Sequence, residues 1–422
     1  MQGARRAETM KTPLTARRPW RGRRVVLGVT GGIAAYKSVQ LARDLTRLGA
    51  EVDVVLTRAA REFVTGLTFE GVTGRRALSD LFSTDGAALH IKLGIEADVV
   101  CVAPATADFL ARAAHGRADD LICTTLLATR APVVVAPAMN DRMFSHPQVQ
   151  ANLAHLREVL GYAVAGPGVG PLAVGEGEGP GRMLEPEELV EHVGRALTGP
   201  TSLAGRRVVV TAGPTREAID PVRYVGNRSS GRMGYALAQA AWRRGARVTL
   251  VSGPSALPTP TGVGRISVET AEDMHAAARD VLPEADVSVF AAAVADFRPS
   301  APHDEKVKRS RTGPTWGIEL VANPDIAGDT RDLRKEGSVC VGFALETGDV
   351  VANAREKMEA KGFHLMVAND ASEPGAGFEV ETNRVTLLDT RGGAEALPLM
   401  SKHDVAEAVL DRVEGILRER EG

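Results

Sequence analysis

Apolar residues along the chain fall into short unbroken runs, each followed by a stretch in which they recur every three or four positions. In the first half, RRVVLGV (23–29) reads as a buried strand, TGG (30–32) as a tight turn, and residues 33–48 as a helix with Leu41, Leu45 and Leu48 on one face. Gly49 ends that helix and EVDVVLT (51–57) predicts the next strand. The order returns in the second half, with RRVVVTAGPT (206–215) as strand and turn, GYALAQAAWRRGA (234–246) as helix and RVTLVSG (247–253) as strand. Runs at 97–103, 132–136, 286–292, 338–343 and 364–368 predict further strands. Apolar strands alternating with amphipathic helices imply parallel sheets covered on both faces. The pattern therefore predicts two three-layer α/β domains, Rossmann-like or flavodoxin-like, with mainly parallel sheets. FEVETNRVTLLDT (378–390) predicts a β-hairpin added to the second, and SKHDVAEAVLDRVEGILRER (401–420) a capped C-terminal helix.

Length agrees with this division, since 422 residues exceed one ordinary core. Residues 24–196 and 206–422 are expected as the two domains, joined by a linker at 197–205 that follows a helix starting near Pro186. The first 24 residues hold seven Arg and one Lys but no apolar core of a secretory signal, so 1–23 is expected to be a disordered basic extension. Charge is nearly balanced, 51 basic against 53 acidic residues, which gives no reason to expect a nucleic-acid or membrane partner. Cys101, Cys123 and Cys340 lie far apart in apolar runs, which excludes a disulfide framework or CxxC metal site and points to a reducing cytosol. No apolar run is long enough for a membrane span.

Ligands of open parallel sheets bind outside the carboxyl ends of the strands, so the loops there carry the candidate chemistry. GVTGGIAAYKS (28–38) is a glycine turn entering a helix N-terminus, suited to a phosphate though also readable as a plain turn. Thr57 and APATA (103–107) end the next two strands on the same edge. Three such loops fit a mononucleotide better than a dinucleotide, because GxGxxG and a ribose-binding acid are both missing. The strand 132–136 runs into PAMNDRM (137–143), which places an amide, Asn140, at a strand end. His90 lies in ALHIKLG (88–94), and the glycine-rich GPGVGPLAVGEGEGPGRM (166–183) reads as a disordered loop or a flap over a site.

TGGIAAYKS, HIKLG, APATADF, PAMN and GPGRM, in this order, resemble the flavin-dependent cysteine decarboxylases. More narrowly they resemble the N-terminal half of the bifunctional coenzyme A biosynthesis proteins, phosphopantothenoylcysteine decarboxylase/phosphopantothenate–cysteine ligase. The resemblance implies FMN held by Gly31, Gly32, Thr57, Ala103, Ala105 and Thr106. It implies oxidation of the substrate's thiol end to a thioaldehyde, loss of carbon dioxide and reduction of the resulting enethiol. His90 would help take the thiol proton, Asn140 would hold the substrate carboxylate, and Met139 would line the same pocket. A neutral amide suits this, because an arginine clamp would stabilise the ground-state carboxylate. The family's flap commonly places a cysteine between Ala and Gly as proton donor; here Val174 stands there, between Ala173 and Gly175.

In the second half TAGPTREAIDPVRYVGNRSSGRMGYALA (211–238) has a long loop that sets Asn227, Ser229, Ser230 and Gly231 before a helix, an anion cradle or simply a helix start. AAAVADFRP (291–299) ends a strand with Asp296, and DEKVKR (304–309) is a basic strip, read as mobile or as solvated surface. NPDI (323–326) and GFALET (342–347) follow, and REKMEAKG (355–362) puts Lys357 and Lys361 four apart on one helix face. These motifs resemble the ligase half of the same family. The resemblance implies CTP as nucleotide, with Mg²⁺. Asp296, Pro324, Asp325, Ile326 and Ala327 would contact it, and Ala291 and Ala292 would bring backbone close. Phe343 would line the nucleoside pocket, while Lys306, Lys357 and Lys361 would neutralise phosphates. Asn227 would lie by the reacting acyl group.

The function expected is therefore a two-step cytoplasmic enzyme. It would ligate cysteine to 4'-phosphopantothenate through an acyl-cytidylate, then decarboxylate the product to 4'-phosphopantetheine. The altered flap leaves open a ligase fused to an impaired or regulatory flavin-binding half. A nicotinamide oxidoreductase is disfavoured for want of GxGxxG. The resemblance also implies a homo-oligomer, FMN sites between subunits of a trimer and ligase domains paired as dimers, together a dodecamer.

Overall fold

A computed structural model of the chain describes residues 18–82, 88–172, 174–175, 177–346, 349–370 and 381–421. Contacts divide it into two compact units, with the boundary between Leu197 and Thr198. Among the described residues no helix is long and apolar enough to cross a membrane.

The first unit is built on β1 (Arg24–Val29), β2 (Glu51–Leu56), β3 (Val99–Ala105), β4 (Val133–Pro137) and the short β5 (Ala163–Val164). All pair in parallel in the order β2-β1-β3-β4-β5. Valine-rich runs favour these strands because branched side chains pack well on a pleated, two-sided surface. Val25, Leu27 and Val29 meet α1 (Ala35–Arg47) and α8 (Pro186–Thr198) on one face, through Leu41, Leu45, Leu189 and Val193. Val26, Val100 and Val102 meet the opposite layer of α4 (Ala107–Ala114), α5 (Leu121–Ala128) and α7 (Pro147–Glu158). Two further helices, α2 (Gly66–Thr73) and α3 (Leu89–Glu96), precede β3, and α6 (Asp141–Ser145) follows β4. This is the flavodoxin-like strand order, with its switch point between β1 and β3.

The second unit contains an eight-stranded sheet. β8 (Arg207–Ala212), β11 (Arg247–Ser252), β12 (Gly264–Ser267), β13 (Val287–Phe290), β16 (Val339–Glu346) and β17 (Leu365–Asp370) form a parallel run ordered β12-β11-β8-β13-β16-β17. This is the 3-2-1-4-5-6 winding, which reverses between β8 and β13. α9 (Arg232–Arg243) and α14 (Lys402–Glu421) cover one face through Leu237, Val405, Val409 and Val413; α10 (Ala271–Val281) and α13 (Val350–Lys361) lie on the other. Two-residue strands β9 (Glu217–Ala218) and β10 (Tyr224–Val225), the pair β14 (Phe297–Pro299) and β15 (Leu320–Ala322), and single-turn helices α11 (Arg309–Thr312) and α12 (Ile326–Asp329) decorate the loops.

Three expectations change. The hairpin is not contained in 378–390, of which 378–380 lies outside the described residues. It joins β19 (Val385–Asp389) to β20 (Ala394–Ala396), with Asp389 Oδ1 accepting from Arg391 N at 2.9 Å and Gly393 N at 2.8 Å to close the turn. β18 (Thr382–Asn383) pairs instead with β21 (Met400–Ser401), and Ser401 Oγ caps α14 by accepting from Asp404 N. The expected linker contributes to the second core, since Leu203 is fully buried there and Thr201 Oγ1 donates to Arg244 O at 2.8 Å. Residues 1–17 of the expected basic extension lie outside the described residues. Its end does not hang free: Trp20 is buried against the first core and its backbone N–H donates to Leu48 O at 3.2 Å.

Candidate active sites

A cavity of about 1120 Å³ opens at the switch point of the first unit. Gly31 and Gly32 after β1, Thr57 after β2, Thr106 after β3, and Met139 and Asn140 after β4 all line it. Thr30 Oγ1 locks two of these loops together, donating to Pro104 O at 2.7 Å and accepting from Thr106 N at 3.1 Å. Gly31 is required by close approach, because a Cβ there would lie 2.4 Å from Ala59 Cβ. Thr57 Oγ1 accepts from Ala60 N at 3.2 Å and so also shapes the turn after β2.

The amide after β4 has a defined job. Asn140 is the N-cap of α6, its Oδ1 accepting from Arg142 N at 2.9 Å. Capping spends the carbonyl and leaves Nδ2, unpartnered among the described residues, as a donor at the cavity wall. The described residues of the glycine-rich segment form an arm, with β6 (Gly168–Pro171) paired antiparallel to β7 (Glu178–Arg182). It grips the strand end, since Met139 N donates to Gly181 O at 3.0 Å and a Cβ on Gly181 would lie 2.2 Å from Met139 O.

The remaining residues expected in this site lie elsewhere within the unit. Ala103 and Ala105 are fully buried strand interior and do not line the cavity; Ala103 O accepts from Ser38 Oγ and Ala105 O from Ala138 N. His90 sits on α3, away from the cavity wall, with its Nδ1 buried and unpartnered among the described residues. Val174 is fully exposed at the tip of the arm; Ala173 is outside the described residues. No cysteine here replaces a flap thiol, because Cys101 and Cys123 are buried, and burial pushes both thiols up, Cys101 to about 12. Asp119, Asp120 and Cys123 come close enough for a metal, but Arg112 already occupies the carboxylates, 2.5 Å from Asp120 and 3.3 Å from Asp119.

In the second unit a cavity of about 460 Å³ lies at the β8/β13 switch point. Asn227, Ser229, Ser230 and Gly231 meet Ala291 and Ala292 there, with Phe343 of β16. Ala291 N and Ala292 N both turn back to Thr211, at its carbonyl and its hydroxyl, so this backbone is fixed at the wall. Asn227 Nδ2 donates to Val294 O at 2.7 Å, tying its loop to the loop after β13.

Asp296, Pro324, Asp325, Lys306, Lys357 and Lys361 do not line this cavity. Most form a second group. Asn323 N donates to Asp296 O and Asn323 Nδ2 to Ala295 O, which brings the segment holding Pro324 and Asp325 beside Asp296. Lys361 Nζ contacts Asp325 Oδ1 at 2.9 Å. Against the upward pull of burial, Lys361 and the Gly328 amide hold the Asp325 carboxyl below its usual range. Lys357 is exposed on α13. Ile326 and Ala327 are core residues at 5% and 7% exposure, so their side chains are unavailable to a ligand within this unit. Lys306 is exposed, but its strip is anchored rather than loose: Val307 N donates to Asp220 Oδ2 at 3.2 Å and Val307 O accepts from Arg223 Nη2 at 2.8 Å.

Residues 14–198 match the family model described as flavoprotein, and residues 203–417 that of the DNA/pantothenate metabolism flavoprotein C-terminal domain. The coenzyme A biosynthesis bifunctional protein CoaBC of Vibrio cholerae is 47% identical over 391 residues, covering 92% of this chain and 97% of that protein. The chain belongs to the coenzyme A biosynthesis bifunctional protein family. The Bacillus subtilis member is 43% identical, covering 94% of this chain and 98% of its own. A crystal structure of the C-terminal domain of a CoaBC protein is 39% identical over 52% of this chain and 99% of that one, with a TM-score of 0.45.

Sequence reasoning did not single out several wall residues of this family member. In the first unit these include Thr30, Arg58 and Met143. In the second they include Arg232, Asn369, Asn383 and Lys402. Asn369 Nδ2 donates to Asn383 Oδ1 at 3.1 Å, and burial with Arg232 nearby lowers the Lys402 ammonium. Asn369 directly follows the run 364–368 that predicts a strand, which carried a signal for it; Lys402 was hidden as the first residue of an amphipathic helix.

Proposed function

We propose that the chain ligates cysteine to 4'-phosphopantothenate with CTP and then decarboxylates the product to 4'-phosphopantetheine with FMN, in the reducing cytosol. The observation that carries this reading is the pair of cavities, each at a switch point and each lined by motif residues of its own half. Relatives matched across both halves carry the bifunctional name, which favours two working halves over a merely flavin-binding first half.

The first cavity fits a flavin mononucleotide in size and in donor set, with its glycine turn, Thr57, Thr106 and Arg58. When bound, FMN supplies the reversible two-electron oxidation that makes the thiol end of the substrate an electron sink. The protein's own part is binding and proton handling. Asn140 Nδ2 would donate to the substrate carboxylate, oriented by the α6 cap, and Met139 would line the same pocket. His90 would take the thiol proton. Because His90 lies off the wall of its own cavity, we place it in a neighbour's site, as a trimeric arrangement requires. With ligase domains paired as dimers, a dodecamer satisfies both contacts.

In the second unit a carboxylate oxygen of phosphopantothenate attacks the α-phosphorus of CTP and pyrophosphate leaves. The cysteine amine then attacks the acyl carbon and CMP leaves. Such chemistry is mostly positioning and charge neutralisation. Asn227 would hold the reacting acyl group against the Ala291–Ala292 backbone, with Phe343 along the nucleoside. Asp296, with Pro324 and Asp325, would contact the nucleotide; Lys306, Lys357 and Lys361 would neutralise its phosphates, Lys361 releasing Asp325 to do so. Mg²⁺ would arrive on the triphosphate.

Two variants test the division of labour. Lys306→Gln is expected to lose ligation by at least about a hundredfold while still decarboxylating supplied phosphopantothenoylcysteine. Asn140→Ala is expected to ligate normally and accumulate that intermediate. Unchanged ligation by the first, or unchanged decarboxylation by the second, refutes the assigned role.

A further inference from the structure

Beside the cavity of the second unit lies another, of about 660 Å³, that shares Ser229, Ser230 and Arg232 in its wall. Its other side is formed by Arg216 and Arg265. The Arg216 guanidinium lies over the Tyr224 ring at 4.8 Å and that of Arg265 over Tyr235 at 5.8 Å. Stacking fixes the plane of each fork and leaves its edge to donate within that plane. Both Nε atoms are buried and have no partner among the described residues. Neither arginine pairs with a carboxylate among those residues, whereas Arg223 pairs with Asp220, Arg232 with Glu381 and Arg298 with Glu272. The single carboxylate in the described wall, Glu269, is exposed and pairs with neither; its main-chain carbonyl accepts from Arg216 N at 2.9 Å. Ser229 Oγ accepts from Gly231 N at 3.2 Å and so keeps its own proton to donate.

Buried guanidinium donors without an acceptor are costly, and the occupant that relieves two of them together is an anion. We infer that this cavity holds the phosphate monoester of the acid substrate between the forks of Arg216 and Arg265. The inference rests on the ligase reading above. The nucleotide's phosphates are assigned to Lys306, Lys357 and Lys361, none of which lines this cavity. The acid carries two anionic ends, a carboxylate that must reach the α-phosphorus and a phosphate that must stay away from it. A wall shared through Ser229 and Ser230 lets one molecule run from Asn227 to the arginines with its second anion held apart.

Calorimetric titration of the full chain with phosphopantothenate and with pantothenate tests this without requiring turnover. The parent should bind the phosphorylated acid at least about a hundredfold more tightly. Arg216→Gln and Arg265→Gln should each weaken phosphopantothenate by about ten- to a hundredfold and leave pantothenate unchanged, with Arg→Lys recovering part of the loss. Inorganic phosphate should compete with phosphopantothenate in the parent only. Equal losses for both acids would mean a structural role, and a weakened CTP or pyrophosphate titration with phosphopantothenate intact would give the site to the nucleotide; either overturns the inference. Absence of ligation by a parent that still prefers the phosphorylated acid would instead count against the ligase reading alone.

Discussion

Asp220 illustrates what one side chain can organise. It is 3% exposed and accepts from Val222 N, Arg223 N, Arg223 Nε and Nη2, and Val307 N. The Arg223 hydrogen bond, then these amides, holds its carboxyl well below the ordinary value near 3.8. Lys306 is the next residue to Val307, so this carboxylate sets where the basic strip leaves the surface. A depressed carboxylate contributes stability above its unfolded value and loses it as pH falls through the folded one. The anchoring is therefore complete at neutral pH and lost only on strong acidification. Asp220→Asn puts a donor where acceptors are needed; it is expected to lower kcat for ligation by about ten- to a hundredfold with flavin content unchanged, as measured by pyrophosphate release. Ligation at the parent rate would detach Lys306 from this anchor. None of this was legible in the sequence, where DEKVKR has the composition of solvated surface.

Among elements, legibility followed how local the cause was. Strands such as VVLGV and VVVA, and the helix carrying Leu41 and Leu45, follow from runs of a few residues and are present where expected. The arm formed by β6 and β7 was not legible as structure, because glycine gives no pattern and its register is fixed by contact with Met139. The second-unit hairpin was misplaced for a similar reason: the Asp389–Gly393 turn, rather than strand propensity, decides where the chain reverses. Gly181 has a φ of 141° and no room for a Cβ beside Met139 O. Gly181→Ala should therefore strain the arm by about 1–3 kcal/mol. The expected result is reduced flavin retention and slower decarboxylation with ligation intact. Absorbance of the purified flavoprotein and product assays would read this directly, and a fully yellow, fully active variant would contradict it.

At the scale of the whole molecule, the two strand orders explain why the motifs sit where they do. Reversal between β1 and β3, and again between β8 and β13, opens a crevice at the carboxyl ends of the strands. Thr106, Asn140 and Ala291, which follow the ends of β3, β4 and β13, line the crevices together with Phe343 of β16. What the sequence could not supply is the far wall. Asn383 and Lys402 reach the second cavity only because the chain returns after β17 through β18 and β21. His90 lies off the wall of the first cavity, and the flavin sites proposed between subunits give it a place in a neighbour's site. The most direct test is mass spectrometry of the products formed by the purified full chain from phosphopantothenate, cysteine, CTP and Mg²⁺. The account predicts 4'-phosphopantetheine, carbon dioxide, CMP and pyrophosphate, with Val174 in place of a flap thiol. Accumulation of phosphopantothenoylcysteine without its decarboxylation, or no product at all, would contradict it.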